Sequence, residues 1–187
     1  MSKKLKEILF VTSLILICTC AAAGQESRCI LKLADLPFTS EFRGFRVGMT
    51  VEQIKVRLPN LRVRQADEFG FTSLNIFPDY ETGIDKTAFE GVRSVSLDVL
   101  DGSVFSIWIG YDKTFKWQTI DEYVTGITTA LKLSNSWQPK FRTRLLDCFD
   151  FTIAVIPVGE SPSIKLIDKV SRESLDKRQT AKEEAQP

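Results

Sequence analysis

The chain has 187 residues, 43% of them hydrophobic and 26% charged, with a formal net charge of +1, the composition of one globular domain. Lys plus Arg number 25 against 24 Asp plus Glu, so no large single-sign field exists to hold nucleic acid, which is excluded as a default partner. Histidine is absent, which excludes Ser-His-Asp, Cys-His and HExxH chemistry and removes the commonest imidazole metal ligand.

Lys3, Lys4 and Lys6 precede an apolar run from Ile8 to Cys18, and Ala21, Ala22, Ala23 and Gly24 follow. That order of basic, apolar and small residues marks residues 1–23 as a secretory signal peptide. The competing reading is an uncleaved anchor, but Ile8 to Ala23 is 16 residues and a spanning helix needs about 20. Cys18 and Cys20 follow Ile17 and Thr19, not the small residue that lipid attachment favours. A periplasmic or secreted product is therefore expected, with membrane contact confined to the signal segment. Without its three lysines and Glu7 the chain keeps 22 basic and 23 acidic residues, and only Cys29 and Cys148 remain as thiols. In an oxidising compartment these two are expected to form a disulfide. Two cysteines without histidine do not make a structural zinc site.

Residues 24–46 show no clear periodicity and read as an irregular lead-in. At Thr50 the pattern changes, because its hydroxyl can cap a helix while Gln53 returns the hydrogen bond, with Met49 and Ile54 as the hydrophobic staple. Val51, Ile54 and Leu58 share one face and Pro59 ends the helix. Phe69 to Phe77 reads as a strand, and Val92–Leu100 with Val104–Tyr111 as a hairpin around Asp101-Gly102. A two-residue turn would set Val95, Leu97 and Val99 on one face with Val104, Ser106 and Trp108, so parity selects a bulged turn with one residue more. A three-residue turn over Leu100-Asp101-Gly102, with Gly102 left-handed as the bulge, pairs Leu97 with Phe105 and Val95 with Ile107 and puts Val99, Phe105, Ile107 and Ile109 on one apolar face with them. It leaves Ser94, Ser96, Asp98, Ser106 and Trp108 on the opposite face.

Thr119 and Glu122 repeat the capping box ahead of a second helix that runs to about Leu133. Ser134 to Pro139 breaks it. Leu145–Val158 reads as one strand region with Phe149, Phe151, Ile153 and Val155 on one face, and Ser163–Ile167 as the last strand. The remainder is charged and lacks aromatic residues, which predicts a disordered tail. The fold class expected is α+β, an antiparallel sheet packed against two helices. The divisions are residues 1–23 as signal peptide, 24–46 as lead-in, 47–167 as a single domain and 168–187 as tail.

Gly44-Phe45-Arg46-Val47-Gly48-Met49-Thr50-Val51-Glu52-Gln53-Ile54 resembles the helix-opening motif of the SmpA/OmlA (BamE-like) lipoproteins and of related β-lactamase-inhibitor-protein-like folds. The resemblance implies an envelope or secreted module that binds another protein through its sheet or loops. It spans about a dozen residues plus an element order, which speaks to fold more than to function.

No spacing singles out a catalytic pair or a metal site among Asp98, Asp101, Asp112, Asp147 and Asp150, and neither an EF-hand nor a phosphate-cradling glycine loop occurs. No cofactor or catalytic residue is expected. Arg142 and Arg144 alternate before the Leu145 strand and could grip a partner carboxylate, or simply line an exposed strand. Trp117 and Trp137 flank the second helix and read as packing residues. Trp108, among Ser94, Ser96, Asp98 and Ser106, reads as an interface anchor, against the alternative that a loop or the lead-in covers it. The function expected is a non-enzymatic protein-interaction or assembly module of the cell envelope, partnered by another envelope protein. The alternative is a periplasmic or secreted small-ligand-binding protein.

Overall fold

A computed structural model describes residues 29–37, 42–114, 117, 119–158 and 161–185. The expected signal segment, with Cys18 and Cys20, lies outside the described residues. Among the described residues seven strands form one sheet: β1 (Phe71–Ile76), β2 (Val92–Leu100), β3 (Ser103–Tyr111), β4 (Gln138–Lys140), β5 (Thr143–Asp147), β6 (Phe151–Val158) and β7 (Ser161–Asp168). Their order is β1-β2-β3-β7-β6-β5-β4, and every neighbouring pair is antiparallel. Among the described residues three α-helices accompany the sheet, α1 (Val51–Arg57), α2 (Ile120–Ala130) and α3 (Lys169–Glu184).

One face of the sheet carries Leu74, Ile76, Val95, Leu97, Ile107 and Ile109, all buried. Ile54 of α1 and Tyr123 and Ile127 of α2 join the same core, together with Phe42, Phe45 and Phe89 from the connecting segments. Tyr123 donates a hydrogen bond to the Tyr111 hydroxyl at 2.9 Å inside that core, which spares both phenols the cost of burial without a partner.

Both caps form as the sequence predicts. Thr50 Oγ1 accepts from the Gln53 N–H at 3.3 Å while Gln53 Oε1 accepts from the Thr50 N–H at 3.0 Å. Thr119 and Glu122 repeat the exchange at the start of α2. The Gly48-Met49-Thr50 motif also extends the sheet beyond the end of β7. The Gly48 N–H donates to the Val104 carbonyl at 2.7 Å and the Val104 N–H to that of Met49 at 2.9 Å. Thr50→Ala should therefore cost about 1 kcal/mol in a urea melt through the lost cap. An unchanged midpoint would show that the backbone contacts to Val104 hold the helix start without it.

The hairpin turn differs from expectation. Leu100 pairs with Ser103 across a two-residue turn in which Asp101 (φ 49°) and Gly102 (φ 81°) are both left-handed, the turn whose twist matches paired strands. The extra residue that parity demands is Phe105, bulged where the register shifts between Asp98 and Val99. Leu97 consequently faces Ile107 and Val95 faces Ile109, two residues along from the expected pairing. Moving the irregularity off the turn puts Phe105 on the face opposite the main core, where it is buried against Leu100 and Leu175.

That second small core corrects the expected architecture of one sheet packed against two helices. Residues 169–184, expected within a disordered tail, form a third helix that covers part of the other face. Of its side chains only Leu175 is buried, and ion pairs and hydrogen bonds add to that contact. Arg172–Asp176 and Lys177–Glu173 pair along its length. Arg178 reaches both Asp101 carboxylate oxygens, at 3.0 and 2.6 Å, and the Phe69 carbonyl at 2.7 Å. This guanidinium holds the Asp101 carboxyl below its ordinary range, chiefly by hydrogen bonding. Lys182 pairs with Glu68.

The single strand region expected over Leu145–Val158 is two strands. Cys148, Phe149 and Asp150 turn between β5 and β6, and Phe149 is exposed rather than sharing the buried face of Phe151, Ile153 and Val155. The turn forms because the lead-in grips it. The Phe149 N–H donates to the Leu31 carbonyl at 3.1 Å, the Leu33 N–H to Asp150 Oδ1 at 2.7 Å, and Cys29 is bonded to Cys148. Gln138 and Pro139, expected in a break, lie on the short edge strand β4, where proline needs no ladder donor.

Candidate functional site

Among the described residues, α3 covers one part of the sheet face away from the main core, and Trp108 is exposed beyond it. Across that face runs one continuous cross-strand row: Asn75, Ser96, Trp108, Lys165, Ala154, Leu145 and Gln138. The neighbouring row holds Ser94, Gly110, Ser163 and Ile156, and the row towards α3 holds Ser73, Asp98, Ser106, Ile167 and Thr152. Small and hydroxyl side chains dominate the strands beside Trp108, so its ring stands above them. Trp108 is 39% exposed, and Lys165 Nζ sits 5.6 Å from its ring centroid, within cation–π range.

The register brings three of the sequence-predicted residues together. Trp108 lies directly opposite Ser96, and Ser94 occupies the adjoining row. Ser96 donates to Asn75 Oδ1, which ties the polar carpet across β1 and β2. The two arginines do not join them. Arg144 shares the Val155 side of β5 and is held by Asp121 of α2, at 3.0 Å through Nη2 and 3.1 Å through Nε. Arg142 sits in the turn between β4 and β5, exposed.

Two residues of the open face escaped the sequence reading, Lys165 and Arg93. Lys165 has a legible signal, since it alternates with the buried Ile164 and Leu166. Arg93 has none, because alternation from Val95 assigns it to the core side. A bulge between Val92 and Ser94 overrides that assignment. A Cβ built on Gly110 would meet Ser94 Oγ at 2.9 Å and Arg93 Nη2 at 3.4 Å, which places the guanidinium beside β3 on the open face. Both bulges of the β2–β3 hairpin thus crowd two consecutive side chains onto this side, Arg93 with Ser94 and Phe105 with Ser106. Bulges commonly re-aim side chains in this way next to functional sites.

The remaining candidates have internal roles. The Trp137 indole donates to Thr128 Oγ1 at 2.8 Å, and Trp117 packs so closely on Gly126 that a Cβ there would lie 2.4 Å from its ring. Asp147 pairs with Lys169 at 2.6 Å, Asp150 holds the lead-in, and Asp112 closes a turn on Thr114. Among the described residues no cluster of three Cys, Asp or Glu has the placement to hold a metal ion. A cleft of about 850 Å³ adjoins the disulfide, lined by Ile30, Trp137, Pro139 and Phe149 with Asp147 and Lys169. Its two charged groups neutralise each other.

The disulfide joins Cys29 and Cys148, a pairing compatible with an oxidising, exported compartment. No helix of the described residues is long and apolar enough to cross a membrane. Comparison with known protein families, curated proteins and solved structures finds no match.

Proposed function

We propose that this is an exported cell-envelope protein that acts, without enzymatic chemistry, as a protein-interaction or assembly module. The helix-opening motif at Gly48-Met49-Thr50 suggests kinship with the SmpA/OmlA (BamE-like) and β-lactamase-inhibitor-protein-like modules. One observation carries the reading: Trp108 is 39% exposed in the middle of the sheet, between Ser96 and Lys165. A large aromatic among small neighbours is the composition of an energetic anchor, and tryptophan is enriched among residues that dominate binding energy. The disulfide supports the oxidising compartment.

The test is to exchange Ser96 for a photo-cross-linking residue in the exporting cell and to compare its adducts with those from an exposed position on α2, such as Thr125. A discrete adduct with one envelope protein, formed only from the sheet face, is expected. Trp108→Ala should leave the urea midpoint nearly unchanged and weaken that association by about 2 kcal/mol, as loss of a hot spot does. A large loss of stability, or full association by the folded variant, would remove Trp108 from the interface.

A further inference from the structure

We infer that the open face recognises an acidic segment of its partner protein, because Lys165 lies over Trp108, Arg93 lies beside Gly110 two residues along β3, and neither pairs with a carboxylate among the described residues. This deepens the interaction reading above and rests on it.

Elsewhere on the protein several cations held against the fold have acidic partners, and Arg43, Arg57 and Lys86 are taken up by backbone carbonyls. Arg144 has Asp121, Lys169 has Asp147, and Arg178 has Asp101. Around Trp108 the arrangement differs. Lys165 is its direct cross-strand neighbour on β7, with the ammonium over the indole. Arg93 approaches from the β2 side, where the bulge turns it and the missing side chain of Gly110 leaves it room. The nearest carboxylate of the face, Asp98, lies one row away towards α3, two residues along β2 from Ser96 and so about 6–7 Å off along the strand. Lys165 in the Trp108 row and Arg93 beside Gly110 thus put two cations on this part of the face, while Asp112 beyond Gly110 is turned to Thr114.

An isolated guanidinium takes a carboxylate in a bidentate fork, a lone ammonium takes a second, and the exposed indole takes an apolar side chain between them. An extended segment with acidic residues on both sides of a large apolar one meets all three. A polyanion such as nucleic acid would call for a longer basic stripe, since its affinity grows with the number of phosphates neutralised. The surface offers two cations and an aromatic anchor, which suits a short peptide segment better.

The experiment titrates the folded protein, by chemical-shift perturbation at low ionic strength, with a short peptide of Phe flanked by Asp and Glu. Its Asn/Gln analogue, a heparin oligosaccharide and vesicles of mixed phosphatidylglycerol and phosphatidylcholine serve as the other arms. Shifts centred on Trp108, Ser96 and Lys165 are expected with the acidic peptide, with about tenfold weaker binding of the amide analogue through loss of charge-assisted hydrogen bonds. Arg93→Gln and Lys165→Gln should each weaken binding by about fivefold and flatten its salt dependence, with melting unchanged. Equal binding of both peptides, no shifts at millimolar peptide, or tighter Arg93-dependent binding of heparin or vesicles would overturn the proposal. The same two variants in the cellular cross-linking assay separate the two readings. If Trp108→Ala abolishes the adduct while Arg93→Gln and Lys165→Gln leave it intact, the interface stands and its acidic preference falls. If none of the three changes it, both fall.

Discussion

Replacing Cys29 and Cys148 together by serine should lower the free energy of unfolding by about 4–5 kcal/mol, the chain-entropy value for a loop of this length. The two cysteines are separated by 119 residues, so the bond constrains nearly the whole described domain in the unfolded state. The expected native-state consequence is local. Besides the sulfurs, the lead-in meets the β5–β6 turn through the Phe149–Leu31 backbone bond, the Leu33–Asp150 bond and the Lys32 ammonium over the Phe149 ring. In the double variant, amides around Leu31 and Leu33 should lose protection before the central strands do. Urea melts of the oxidised protein and the double variant read the first effect, and native-state hydrogen exchange reads the second. A loss below about 2 kcal/mol would mean that the unfolded chain is already compact enough for the cross-link to matter little.

Phe105→Ala should cost about 3–5 kcal/mol, the usual range for truncating a buried phenylalanine. Phe105 is 2% exposed and packs with Leu100 and Leu175 under α3, with its ring edge-on to Phe71 at 6.3 Å. Leu175 is the one buried side chain of α3, and losing Phe105 leaves it with Leu100, Phe69 and Phe71 in the small core. Leu175→Ala should then cost far less in the Phe105→Ala background than alone, since contacting residues do not add. Protection of the α3 amides should fall in both single variants while the Tyr111–Tyr123 region stays protected. Additive losses in the double-mutant cycle would show that α3 is held by Arg178 and Lys182 rather than by the small core.

The two helix starts were legible because a capping box is complete within four residues. Thr50 with Gln53 and Thr119 with Glu122 needed no knowledge of the rest of the chain. The cysteine pair was legible for a different reason, since setting aside residues 1–23 leaves two thiols and so one bond. The hairpin was half legible. Alternation demanded one extra residue, but alternation cannot say where it sits, and the Asp101-Gly102 turn is satisfied with two residues while Phe105 gains burial by bulging. The third helix left a local trace in Arg172–Asp176 and Glu173–Lys177, pairs spaced for one helical face. Composition obscured it, because a helix with a single buried leucine resembles a solvated tail until Asp101 and Glu68 are brought beside it.

By itself the sequence determined the features whose partners lie within a turn of one another or follow from counting: the caps, the strand and helix periodicities, the cysteine pair and the exclusion of histidine chemistry. It also assigned Trp108 to the same side as Ser94 and Ser96, since neighbours two apart on a strand share a face. Only the tertiary structure decided what surrounds that ring. Lys165 reaches Trp108 through the β3–β7 pairing, which joins residues more than fifty positions apart, and Arg93 reaches the face through a bulge that reverses its expected side. Arg144 lies on the other side with Val155, where Asp121 of α2 holds it at 3.0 Å. Register between distant strands follows from how a whole core packs, so no local pattern around Trp108 carries the charges that flank it.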